Sequence, residues 1–256
     1  MKLLVKLGGT LLDAPAMRAS LACQIAAAAR QGVQVAVVHG GGKQMTHFLT
    51  ERGIASTFVE GLRVTTPETL DAVVKVVAGS VNRELVASLV AAGAEAVGLS
   101  GIDACLVEAE QMKPELGAVG RVVRAHTGLL DVLGTHGYLP VVACLGGDRQ
   151  GHLYNINADQ MAVACAAAWG AQLLLFLTDV EGVLDADKRV RPRLSMAECE
   201  ALIAAGVATG GMQAKLNAAN SALRQGVGEV RIAPGAAEWI LARVLGGEPA
   251  GTRIVG

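Results

Sequence analysis

Lys6-Leu7-Gly8-Gly9, closing the apolar run 3–7, and Val38-His39-Gly40-Gly41-Gly42, closing a second run over 33–38, decide how this chain is read. Glycines placed directly after a buried strand let backbone N–H groups approach a ligand with no Cβ in the way. A helix that starts there adds its positive end, so the pattern describes a phosphate cradle built twice. Neither cluster fits G-x-x-x-x-G-K-[ST] or G-x-G-x-x-G, which sets aside the Walker and Rossmann fingerprints. Tight βα turns also need glycine for geometry alone, so each cluster by itself is equally well a turn.

Further strand-like apolar runs at 96–99, 139–143, 173–177 and 230–232 alternate with helical patterns. Those patterns fall at 15–30, 42–52, 67–78, 82–92, 127–136, 158–169, 195–205, 212–225 and 237–245. The alternation predicts an α/β fold whose mainly parallel sheet is covered on both faces. Between Leu106 and Arg124 the pattern shortens and is broken by Pro114, Gly117 and Gly120, which predicts a β-hairpin appended to the main sheet. A lobe boundary is expected near Gly170, giving an N-terminal lobe over 1–170 and a C-terminal lobe over 171–256. No Pro/Gly/Ser linker separates them, so they should share one sheet, with a cleft at the carboxyl ends of its strands.

Composition narrows the function classes. A chain of 256 residues with 52% hydrophobic and 18% charged residues is a compact globule. Its net charge of -1, with both signs mixed along the sequence, offers no basic footprint for nucleic acid and no polybasic membrane patch. Residues 162–177 are nearly apolar but are interrupted by Gly170 and Gln172, and they read as a buried helix followed by a buried strand. The five cysteines, Cys23, Cys105, Cys144, Cys165 and Cys199, are widely spaced among apolar neighbours and read as reduced core residues of a cytoplasmic protein. Met1 leads almost directly into the first strand, so no signal or transit segment is expected. A small soluble ligand is the better expectation.

Five further segments are polar where an α/β core would be bland. In Gly61-Leu62-Arg63-Val64-Thr65, the Arg63 guanidinium suits either a carboxylate ligand or a surface ion pair. In Asn155-Ile156-Asn157-Ala158-Asp159, Asn157 reads as a helix N-cap with Asp159 in the first turn, which leaves Asn155 without a capping role. Gly210-Gly211-Met212-Gln213-Ala214-Lys215 opens a helix and puts a lysine one turn in. Leu177-Thr178-Asp179-Val180-Glu181-Gly182-Val183-Leu184 is a strand that ends in a polar loop, and Ala233-Pro234-Gly235 reads as a turn.

Taken in order, together with Gly137-Tyr138-Leu139-Pro140-Val141 and Gly251-Thr252-Arg253-Ile254, these segments resemble the amino acid kinase family, and within it the branch that phosphorylates N-acetyl-L-glutamate. The resemblance covers the whole chain. It implies a three-layer α/β/α sandwich and phosphoryl transfer from ATP to the acid's side-chain carboxylate, with Mg²⁺ riding on the nucleotide phosphates and no dedicated protein metal site. By the same resemblance Lys6 and Lys215 flank the transferring group, Asp159 holds both lysines in register, and backbone N–H groups of Gly8, Gly9, Gly41 and Gly42 bind phosphoryl and carboxylate oxygens. Arg63, Asn155 and Asn157 would bind the acid. Asp179, Val180, Glu181, Gly182, Val183 and Leu184, with Val207, Ala208, Thr209, Gly210 and Gly211, would contact the nucleotide. His39 is a tempting base, but a carboxylate is already ionised at pH 7 and needs none. Glu60 departs from the family pattern and is expected to point outward. The chain lacks the extra N-terminal helix that interlaces hexameric relatives, so a homodimer built around 67–78 is expected. The alternatives that remain are a same-fold kinase for N-acetyl-2-aminoadipate or glutamate, and a non-catalytic nucleotide or amino acid sensor.

Overall fold

The computed structural model describes residues 1–256. Its centre is an eight-stranded sheet in the order Arg193–Ser195, Thr252–Val255, Glu229–Pro234, Leu173–Thr178, Lys2–Leu7, Gln34–His39, Leu139–Ala143 and Ala96–Ser100. Six neighbouring strands are parallel, and Thr252–Val255 turns antiparallel against Glu229–Pro234 at one side. The central strands are apolar on both faces: every residue of Leu173–Thr178 is buried, as are five of the six in Lys2–Leu7. Such strands are stable only between two helical layers, so the sequence itself demands the sandwich. One cluster of 63 buried residues runs through both halves of the chain, and the expected lobes therefore have no separate cores.

The helix boundaries follow local chemistry. Pro15 opens Pro15–Arg30 at a position where its missing N–H costs nothing. Ser195 and Glu198 form a reciprocal capping box at Met196–Ala204. Gly170, left-handed at φ 68, ends Ala158–Trp169 and leads into the next strand. No helix is long and apolar enough to cross a membrane.

Several expectations need correction. The predicted hairpin forms as Val107–Gln111 with Val119–Ala125, but it does not join the main sheet. It closes with Leu145–Gly147 and Leu153–Ile156 into a separate four-stranded sheet. Glycines permit that closure, since a Cβ on Gly120 would stand 2.5 Å from Ile156 Cδ1 and one on Gly146 would stand 3.1 Å from Ile156 Cγ1. The helices expected at 67–78 and 82–92 are one continuous helical run. Pro67–Ala72 passes through a π-helical stretch, Val73–Val81, into Asn82–Ala91. Gly79 and Ser80 do not break the run, because the wider turn absorbs them. The cysteines are not all core residues: Cys23 is exposed and Cys105 is half-buried.

Candidate active site

Three adjacent strands of the sheet, Lys2–Leu7, Gln34–His39 and Leu173–Thr178, end at the same edge. The two glycine loops therefore meet there. An added Cβ on Gly9 would lie 3.2 Å from the Gly42 nitrogen, and one on Gly41 would lie 3.2 Å from Val77 Cγ2, on the π-helical stretch. Gly42 faces open space and begins the helix Gly42–Thr50. Two clusters more than thirty residues apart in sequence thus form one cradle whose walls would be filled by any side chain.

Beside it stands a charge triad in which Lys6 and Asp159 are buried and Lys215 is half-buried. Lys6, 7% exposed on its strand, puts Nζ 2.5 Å from Asp159 Oδ1, and Lys215 approaches Oδ2 at 3.6 Å from the helix Gly210–Arg224. Asp159, 8% exposed, is fixed from behind, because the Asn157 side chain accepts hydrogen bonds from the backbone N–H of Asp159 at 2.9 Å and of Gln160 at 3.2 Å. Burial works to raise the Asp159 pKa, but the two ammonium groups outweigh it and hold the carboxyl below the usual range. One carboxylate thereby sets the spacing of two cations.

The contacts continue around the cradle as a ring. Arg63 Nη2 donates to the Gly42 carbonyl at 3.1 Å and to Thr46 Oγ1 at 2.7 Å, while Nη1 donates to Ser56 Oγ. The guanidinium lies over the Phe58 ring, 4.6 Å from its centroid. Thr65 Oγ1 donates to the Arg63 carbonyl at 2.8 Å and accepts from Asn155 Nδ2 at 3.0 Å. Asn155 then leads through Leu153–Ile156 back to Asn157 and Asp159. Arg63 sits on a two-stranded hairpin, Phe58–Val59 with Leu62–Arg63, whose turn holds Glu60 at φ 50 and Gly61 at φ 78. Two successive positive φ angles mark a tight hairpin turn, and Glu60 is exposed at its tip.

His39 is buried within this frame. Its Nε2 lies 2.9 Å from Asn82 Nδ2, an amide that only donates, so Nε2 accepts and Nδ1–H donates to the Gly40 carbonyl at 2.9 Å. Burial lowers the His39 pKa to about 4, against a smaller opposing effect of the Gly40 hydrogen bond, and Arg83 lowers it further. The ring is a neutral strut for the second glycine loop.

The remaining residues singled out from sequence line the other half of the edge. Asp179, Val180, Glu181 and Leu184 are exposed, whereas Gly182 and the Val183 side chain are buried. Val183 N–H donates to Thr252 Oγ1 at 2.8 Å, which ties this loop to Thr252–Val255. Val207 is half-buried, Ala208 is buried, and Thr209 stands at the N-cap of Gly210–Arg224 without a side-chain cap. Nothing lies within 4 Å of Cβ positions on Gly210 or Gly211, so the start of this long helix leaves open space beside its backbone, while the Met212 and Gln213 N–H groups donate to the Thr209 carbonyl. Gly8 donates its N–H to the Leu177 carbonyl at 3.1 Å, tying the first glycine loop to the neighbouring strand.

Sequence reasoning missed Thr65, Thr46, Ser56 and Asn82 as parts of this frame. Thr65 was legible inside its motif. Asn82 carried no local signal, since its partners His39 and the Val141 carbonyl, 3.0 Å away, are distant in sequence.

The chain matches the pattern of the amino acid kinase family over residues 1–234. It is 68% identical over 255 residues to an acetylglutamate kinase of Solibacter usitatus (strain Ellin6076), spanning 100% of this chain and 99% of that one. A second acetylglutamate kinase, from Rubrobacter xylanophilus, is 48% identical over 223 residues, 87% of each chain. Among solved structures, N-acetylglutamate synthase from Neisseria gonorrhoeae complexed with coenzyme A and N-acetyl-glutamate superposes with a TM-score of 0.90 at 25% identity. All of this chain is covered there, but only 59% of the synthase's length. Isopentenyl phosphate kinase, with a TM-score of 0.68 at 22% identity and full coverage of both chains, shares the fold. Pattern, relatives and architecture agree: the chain belongs to the amino acid kinase family.

Proposed function

We propose that this protein transfers the γ-phosphoryl group of ATP to the side-chain carboxylate of N-acetyl-L-glutamate, forming the acyl phosphate N-acetyl-L-glutamyl 5-phosphate in arginine biosynthesis. The observation that carries the reading is the Lys6–Asp159–Lys215 triad, centred on a buried carboxylate, beside the joined glycine loops. A carboxylate nucleophile requires no base, and His39 offers none, because its accepting nitrogen is buried and already held by Asn82. The obstacle is repulsion between two anions, which fixed positive charge and positioning overcome.

Each residue then has a task. Lys6 and Lys215, held on opposite oxygens of Asp159, supply charge to the nucleophile side and the leaving-group side of the phosphoryl group. Backbone N–H groups of Gly9, Gly41 and Gly42 bind oxygens where charge develops, whereas the Gly8 N–H is committed to the Leu177 carbonyl and Gly8 serves to let the loop pass close to the phosphates. Arg63 uses three of its donor positions on Ser56, Gly42 and Thr46, and of the five N–H groups of a guanidinium two remain for the acid's α-carboxylate. Asn155 retains its amide oxygen and Asn157 its amide nitrogen for the acid's remaining polar groups. The N-terminal lobe, 1–170, would hold the acid, and the C-terminal lobe, 171–256, the nucleotide. There the uncrowded helix start at Gly210 and Gly211 suits the phosphates, and Asp179 to Leu184 with Val207 to Thr209 suit the nucleoside. Mg²⁺ would neutralise the β- and γ-phosphates, drawing its ligands from nucleotide and water because Asp159 is committed to two lysines. A homodimer is supported by Val74 and Val90, which expose apolar surface on the helical run that follows Pro67. A cytoplasmic setting, where ATP is supplied, fits this chemistry.

Steady-state ADP release with Mg·ATP and N-acetyl-L-glutamate, N-acetyl-2-aminoadipate or glutamate at equal concentrations tests the substrate. The expected order puts N-acetyl-L-glutamate first, with the longer acid discriminated by about 1–3 kcal/mol for its extra methylene. Faster turnover of either other acid would overturn the substrate and leave the chemistry standing.

A further inference from the structure

A second cluster of reactive side chains lies outside the phosphoryl-transfer site. Cys105 Sγ, a Glu108 carboxylate oxygen and a His126 ring nitrogen all lie within 4.8 Å of one another, and all three residues are half-buried. They come from three segments, namely the short 3-10 turn Asp103–Cys105, the strand Val107–Gln111 and the residue after Val119–Ala125. His126 Nε2 is 3.3 Å from Glu108 Oε2, and the backbone N–H of His126 donates to the Leu106 carbonyl at 2.8 Å, which clamps the third segment to the first two.

The local backbone is shaped to bring these groups together. Ala104 and Cys105 hold φ angles of 50° and 55°, a left-handed pair without glycine. Such a conformation is strained and persists only where its surroundings impose it. A register shift between Glu108 and Ala109 re-aims the side chains of that strand. Cys105 also lines an open cavity of about 400 Å³ with Gly147, Asp148, Arg149 and His152, which gives solvent access to its thiol.

We propose that Cys105, Glu108 and His126 form a binding site for a borderline-soft divalent cation of the zinc(II) class. One thiolate, one imidazole and one carboxylate are the mixed donor set such an ion takes, and three protein ligands leave a fourth tetrahedral position to water from the cavity. Zinc bonds of about 2.0–2.3 Å require ligand atoms about 3.3–3.8 Å apart, so atoms that lie within 4.8 Å of one another must close by at most about 1–1.5 Å, shared between two side chains, to make a site. The Cys105 thiol binds as thiolate, its proton passing to solvent. Arg149, whose Nε lies 3.7 Å from Glu108 Oε1, is mostly exposed and free to swing away as the cation arrives. The ion ties together three segments of the small sheet that carries Asn155 without touching the phosphoryl-transfer residues.

The test is titration of the full-length, nucleotide-free protein with cobalt(II), read as a thiolate-to-metal charge-transfer band, followed by competition with zinc(II). One equivalent is expected. Cys105→Ser abolishes the band, Glu108→Gln and His126→Asn each weaken binding at least about tenfold, and Cys23→Ser, which removes the other accessible thiol, leaves it intact. Zinc at about a hundredfold excess over its dissociation constant raises the unfolding temperature of the parent by about 5–10 °C and leaves that of Cys105→Ser unchanged. Circular dichroism and ADP release confirm that each variant is folded. The site is overturned by absence of the band in folded parent, by its survival in folded Cys105→Ser, or by its loss in Cys23→Ser.

Discussion

Replacing Asp159 with asparagine keeps the shape of the side chain and removes the charge that organises the site. At an effective dielectric of about 20, unit charges at the 2.5 and 3.6 Å separations of Lys6 and Lys215 interact with it by about 7 and about 5 kcal/mol. Desolvation of three largely buried ions offsets most of that gross attraction. Removing one partner nevertheless strands the others, and measured losses for such deletions are about 3–5 kcal/mol. For a chain of this size that corresponds to a fall in unfolding temperature of about 6–20 °C. With the lysines no longer held at one spacing, kcat should fall at least about 100-fold, comparable to loss of a preorganised electrostatic donor. The pH dependence has a definite sign. The folded pKa of Asp159 is depressed, so its stabilisation is complete above the unfolded carboxylate value of about 3.9 and is lost as pH falls through the lower folded value. Asp159→Asn should therefore flatten the acid limb of stability against pH. Urea unfolding across that limb and hydroxamate formation at neutral pH measure both effects. A variant within about 1 kcal/mol and threefold in kcat of the parent would refute the assignment of Asp159 as the organiser of the two lysines.

Three further outcomes are expected. Because burial lowers the His39 pKa from 6.5 to about 4, stability should be full above pH 6.5 and decline by about 3 kcal/mol as pH falls toward 4. Urea unfolding of His39→Gln should lack that slope, and an unchanged slope would remove His39 as its source. Gly9→Ala puts a methyl 3.2 Å from the Gly42 nitrogen, inside the cradle, and should cost at least about tenfold in kcat/KM with little loss of stability. A variant as active as the parent would show that the cradle has room to spare. Arg63→Lys loses the planar fork that reaches Gly42, Thr46 and Ser56 together, and kinetics should show KM for the acid raised about tenfold or more with kcat much less affected.

Much of the fold was legible because its determinants are local. Doubly buried strands are continuous apolar runs, and Pro15, Asn157 and Gly170 mark helix ends through their own backbone chemistry. The limits Pro15–Arg30 and Ala158–Trp169 coincide with the expected ones for that reason. What escaped depends on tertiary closure. The edge strand Arg193–Ser195 and its neighbour Thr252–Val255 are too short to show periodicity, and the small sheet closes only because Gly120 and Gly146 leave room for Ile156. The π-helical stretch was invisible because Gly79-Ser80 resembles a break until Val77 is seen packed against Gly41. In the site, Lys6, Asp159 and Lys215 were readable as a set only through the family pattern. The ring that joins Arg63 to Asn155 through Thr65 needed the structure.

The central claim is that two lysines held by one carboxylate drive attack of a substrate carboxylate on ATP. Incubation with Mg·ATP, N-acetyl-L-glutamate and hydroxylamine, which traps an acyl phosphate as its hydroxamate, tests it most directly when Lys6→Ala and Lys215→Ala are run beside the parent. Hydroxamate matching ADP release in the parent, with a loss of at least about 100-fold in each folded variant, is the predicted result. Turnover without hydroxamate, or a folded lysine variant as fast as the parent, would contradict the account.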